Sequence, residues 1–82
     1  MRNVTEGDAY ENLANAIILE AVKDYRKALR TLKRNPENKV ASGTKKECER
    51  FFRSGWFEQL TSIDGPRLIN DLRKEVKWTE ER

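Results

Sequence analysis

Residues 10–34 read YENLANAIILEAVKDYRKALRTLKR, and this stretch decides the fold. Tyr10, Ala14, Ile17, Ile18, Ala21, Val22, Tyr25, Ala28, Leu29 and Leu32 recur three and four residues apart. That spacing lines one face of an α-helix. Asp8, with Glu11 three residues on, suits a capping box at its start, and Thr5 is a second option. Asn35-Pro36 ends the run, because a proline ring pushes the preceding residue out of the α region. A helix of about 26 residues would be ~39 Å long. In an 82-residue chain, the remainder must fold back along it.

Working outward, Pro36–Gly43 reads as a connection, and Thr44 with Glu47 reads as a second capping box that opens another helix. Cys48, Phe51 and Phe52 give that helix its apolar side. Gly55 is expected to break it, and Ser54 to cap a short third helix holding Trp56, Phe57 and Leu60. A single kinked helix over both pieces is the other reading. Asp64 before Gly65-Pro66 marks the start of a last helix, since proline fits the first turn. Leu68, Ile69, Leu72 and Val76 share one of its faces, with Trp78 near its end. No segment alternates with period two. The expected fold is therefore all-α: a small three- to four-helix domain with one long N-terminal helix packed against shorter helices. It spans residues 1–82 as a single domain, with 1–7 a frayed lead-in and 79–82 a frayed tail.

The inventory excludes several chemistries. The chain has no histidine and one cysteine, Cys48. A Ser-His-Asp or Cys-His arrangement, a tetrahedral Cys/His zinc site and an intramolecular disulfide are all out of reach. No phosphate loop occurs, because Gly43-Thr44-Lys45 lacks the required context. Glu47, Glu49, Asp64 and Asp71 read as caps or solvated charges. A non-enzymatic protein without a cofactor is expected. The longest apolar run, Ala16–Leu19, is too short to cross a membrane. Residues 1–12 are polar and carry three acids, so no secretory signal is expected there. A cytoplasmic location follows as the expectation.

Charge is uneven along the chain. Residues 21–53 hold eleven basic and four acidic side chains, a net of +7, while the whole chain carries +3. On the first helix Lys23, Arg26, Lys27, Arg30, Lys33 and Arg34 fall on the side away from the apolar stripe. Lys45, Lys46, Arg50 and Arg53 follow on the second. Such a surface suits phosphate contacts, which position a nucleic acid without reading its sequence. An ordinary solvated face, with cations favouring a helix C-terminus, is the competing reading.

Phe51-Phe52-Arg53-Ser54-Gly55-Trp56-Phe57 holds all three phenylalanines and one of the two tryptophans. The phenylalanines read as core, and Trp56, with a polar indole N–H, as a boundary or contact residue. A helix-turn-helix around Gly55 is a weaker fit, because Trp-Phe-Glu-Gln-Leu is too apolar and acidic for a recognition helix.

The run Glu49–Thr61, then Asp64-Gly65 and Leu68-Ile69, together with Ala21–Arg26 and Ala28-Leu29, resembles an uncharacterised family of small helical proteins. That family is encoded on phages, prophages and conjugative elements of Firmicutes. The matches cover most of residues 14–76. The resemblance implies no activity and carries over no catalytic or binding residue. It implies a setting, in which small proteins manage element DNA or block host defences, as anti-CRISPR inhibitors do. The expected function is a binding protein that engages nucleic acid, or a nucleic-acid-binding protein, through its basic helical face. The alternatives are a host-defence inhibitor acting by protein contact and a structural homo-oligomer, such as a homodimer.

Overall fold

A computed structural model describes residues 6–79, and the side chains of residues 12–77. Among these residues there are four helices and no strand: α1 Glu6–Arg34, α2 Lys39–Phe52, α3 Gly55–Leu60 and α4 Gly65–Thr79. The all-α expectation holds. At 29 residues, α1 is about 43 Å long, and it sets the 48 Å long dimension of a molecule only 26 and 22 Å across. It begins two residues ahead of Asp8, so Asp8 is not its cap; Thr5 lies outside the described residues.

The chain leaves α1 at Asn35-Pro36 as expected, but the connection is shorter than the sequence suggested. Asn38 caps α2: its backbone is extended, and its Oδ1 accepts from the Ala41 amide at 2.9 Å. Helix α2 thus starts at Lys39, five residues ahead of Thr44. Thr44 and Glu47 lie inside the helix, where a capping box has no free amides to serve. Gly43 also lies within it, at ordinary negative φ.

The aromatic segment is two helices divided by a turn. The break falls at Arg53-Ser54 rather than at Gly55, which opens α3 without a positive φ. Ser54 Oγ donates to the Phe51 carbonyl at 2.7 Å and accepts from the Phe57 amide at 3.1 Å. One hydroxyl therefore closes the C-terminus of α2 and opens α3. This turn sends four neighbouring rings to different places. Phe52 and Phe57 are fully buried, Phe51 is half-buried and Trp56 is exposed.

Helix α2 runs back along α1, with the Cys48 thiol donating to the Ala21 carbonyl. Helix α4 lies against both. Its Asp64 cap accepts from the Arg67 amide at 3.2 Å, and Arg26 Nη2 reaches Glu75 Oε1 at 3.1 Å across the α1–α4 seam. The core joins Ile18, Val22 and Tyr25 from α1 to Cys48 and Phe52 from α2, Phe57 from α3 and Ile69 and Leu72 from α4. Edge-on ring pairs hold its centre: Tyr25–Phe52 and Phe52–Phe57, each with centroids 5.6 Å apart.

Gly65 fixes how closely α4 can approach. A Cβ built there would lie 1.8 Å from the Phe52 carbonyl oxygen. The N-terminus of α4 thus sits directly on the last carbonyl of α2, a contact open only to glycine.

Candidate nucleic-acid interface

The face of α1 opposite Tyr25 carries the first set of cations. At about 100° per residue, Lys23, Lys27, Arg30 and Arg34 cluster around the direction pointing away from the core. Lys23, Lys27 and Arg34 are exposed and Arg30 is half-buried. Among the described residues none of the four has an ion-pair or side-chain hydrogen-bond partner.

The flanking cations are engaged with α4. Arg26 pairs with Glu75, its Nε lying 3.0 Å from Oε2, and Lys33 donates to the Lys77 carbonyl at 2.9 Å.

On α2 the expected cations divide in the same way. Lys46 and Arg50 are exposed on the outer face, also without an ion-pair partner among the described residues. Lys45 and Arg53 flank Glu49, with Lys45 Nζ 3.2 Å from Oε2 and Arg53 Nη1 3.9 Å from Oε1.

Glu49 read as a solvated charge in the sequence, yet it is buried. Tyr25 Oη donates to its Oε2 at 2.6 Å and Arg73 Nη2 at 2.7 Å. Arg73 Nε also donates to Tyr25 Oη at 3.2 Å. One buried carboxylate thereby ties α1, α2 and α4 together. Burial alone would raise its pKa; the hydrogen bonds from Tyr25, Arg73 and Lys45 outweigh that and hold it at about 2. Burial first, then the bond to Glu49, pushes the Tyr25 phenol up to about 12. The Glu49 bond above all raises the Arg73 guanidinium too.

The sequence reading missed this triad. Only the i, i+4, i+8 spacing of Lys45, Glu49 and Arg53 hinted at it.

The two basic sets do not form one patch. Tyr25 and Phe52 meet in the core, so the faces opposite them on α1 and α2 point in diverging directions. Trp56 joins neither. It stands edge-on to Phe51, centroids 5.5 Å apart, beside a groove between α1 and α2 lined by Glu20, Asp24 and Glu47.

Cys48 closes the floor of that groove. Burial, then the fields of Asp24 and Glu47, pushes its thiol up to about 11, which keeps it protonated and unreactive. Among the described residues, no group of three His, Cys, Asp or Glu side chains stands close enough to hold a metal ion. No helix among them is long and apolar enough to cross a membrane.

The fold and these faces define a small all-α domain of four helices with a cationic outer row. No protein-family model matches the chain, and neither a curated protein nor a solved structure matches it.

Proposed function

We propose that this chain is a non-enzymatic binding protein that lays a nucleic-acid backbone along the outer face of α1. One observation carries the reading: Lys23, Lys27, Arg30 and Arg34 form a row with no acidic partner among the described residues. The row extends over twelve residues of helix, from Lys23 to Arg34, a rise of about 17 Å. Phosphates on one strand of a duplex rise by ~3.4 Å, so such a row spans roughly five of them. It offers point charges and guanidinium forks that suit phosphate oxygens. Affinity led by such phosphate contacts varies little with sequence. The setting in this proposal is the one the resemblance noted above implies, a mobile element whose own or whose host's nucleic acid would be the ligand.

Fluorescence anisotropy with a labelled 20-base-pair duplex, across a salt series, tests this. Four phosphate contacts give a slope of log K against log salt near −3.6, and a single strand gives a slope nearer −2.8. Lys27→Glu, Arg30→Glu and Arg34→Glu together remove binding and leave the helical circular dichroism intact. Lys46→Glu with Arg50→Glu, on the other face, changes affinity little. Unaltered binding by the triple α1 variant refutes the proposal.

A further inference from the structure

The α1–α2 hairpin has two flanks, and α4 covers only one. Arg26, Leu29 and Lys33 turn toward α4. On the opposite flank a groove runs the length of the hairpin in two connected parts of about 480 and 450 Å³, with Asp24 lining both. The end near Trp56 is apolar, built from Ile17, Ala21, Cys48, Phe51 and Trp56. The other end is bounded by Val40. Trp56 is 55% and Val40 80% exposed, so each end presents an uncovered large apolar side chain.

The rim of the Trp56 end has the opposite sign to the net charge of the chain. Glu20, Asp24 and Glu47 line it and all three are exposed. In a chain of net charge +3, three acids are concentrated around the most apolar part of the surface groove. A nucleic-acid backbone is repelled there, and an aliphatic small molecule would leave the acids unused. An amphipathic helix satisfies both features, with its apolar stripe on the floor and its cations over the rim. From Ile17 to Thr31 the floor measures about 21 Å along α1, the length of a helix of ~14 residues.

We infer that this groove docks a cationic amphipathic helix of another protein, as an added helix on the open flank of the α1–α2 hairpin. Trp56 is its anchor. Its ring is held edge-on by Phe51, which in turn packs on Phe57, so little side-chain freedom is lost on contact. Lys27 of the cationic row also lines the Val40 end of the groove, whereas Lys23, Arg30 and Arg34 lie outside its lining, so a helix seated at the Trp56 end leaves those three cations open to a second ligand.

The probe is a synthetic 14-residue peptide of leucine and lysine, with leucines at i, i+3, i+4 and i+7. Its control is the same composition with leucines distributed around the helix. Titration into the isotopically labelled protein is followed by amide and indole NMR shifts. The expected shifts fall on residues 16–24, residues 47–51 and the Trp56 indole. Trp56→Ala weakens binding at least about tenfold, the cost of losing an interface anchor. Glu20→Lys with Glu47→Lys, both on exposed positions, does the same without touching the core. Equal affinity for the control peptide overturns the inference, as does unchanged binding by Trp56→Ala. Sedimentation of the protein alone supplies a further outcome. Dimers that shift the same resonances would assign the groove to a second copy and overturn its assignment to a separate partner.

Discussion

Replacing Glu49 by Gln removes a charge and leaves the shape of the side chain. The carboxylate is only 10% exposed in its side chain, so solvent screens its partners weakly. Its pKa is about 2 in the folded chain against an ordinary 4.5. Linkage converts that difference to about 3 kcal/mol of stability at neutral pH. The sign follows from the direction. A folded pKa below the unfolded one means that protons bind the unfolded chain first. The contribution is therefore complete above about pH 4.5 and fades as the pH falls toward 2.

The assay is thermal unfolding of wild type and Glu49→Gln at intervals from pH 7 to pH 2. At pH 7 the variant melts lower by roughly 12–24 °C, at ~4–8 °C per kcal/mol for a domain of this size. The gap closes as the pH falls from about 4.5 toward 2, because Glu49 of the unfolded wild-type chain takes up a proton over that range while the folded carboxylate holds out to about 2. Effects of other carboxylates appear in both proteins and cancel in the difference. Tyr25→Phe provides the cycle: alone it costs about 1.5–3 kcal/mol, the worth of a hydrogen bond to a charge, and in the Glu49→Gln background it costs less. A gap that stays constant from pH 7 to pH 2, or a variant as stable as wild type at pH 7, would refute the reasoning.

Gly65→Ala lowers the denaturant midpoint by at least about 2 kcal/mol in stability, because its methyl meets the Phe52 carbonyl and α4 has to shift. Gly43→Ala does the reverse: nothing lies within 4 Å of the new Cβ and the backbone is already helical, so stability rises by about 0.5–1 kcal/mol. Asn38→Ala removes the cap of α2 and costs about 1 kcal/mol, read as a shift in the same unfolding transition. The Cys48 thiol, buried and with its pKa near 11, reacts with a disulfide reagent at pH 8 on the order of a hundredfold more slowly than in the unfolded chain. A fast reaction in the native protein would show that Cys48 is not enclosed as described.

What local chemistry could decide was legible in the chain. The apolar period of α1 needs only residues three and four apart. Its end at Asn35-Pro36 is a property of the proline ring, and Ser54 and Asp64 cap helices through amides two or three residues away. Phe52 and Phe57 are core because rings of that size gain most from leaving water.

The start of α2 was not legible, because Asn38 and Thr44 are comparable caps in isolation. The extra turn survives because Ala41 is buried in the folded chain, which no local rule reveals. Glu49 is the clearest case. Its sequence neighbours Lys45 and Arg53 suit a solvated helix, and its burial depends on Tyr25 and Arg73, each twenty-four residues away. Gly65 looked like a helix opener and proved to be a packing contact with Phe52. The cations looked like one basic region because they are close in sequence. The ring contact of Tyr25 with Phe52 turns their helices' outer faces apart. Which charges are engaged and which are left for a ligand is a matter of three-dimensional neighbours, and only packing sets those.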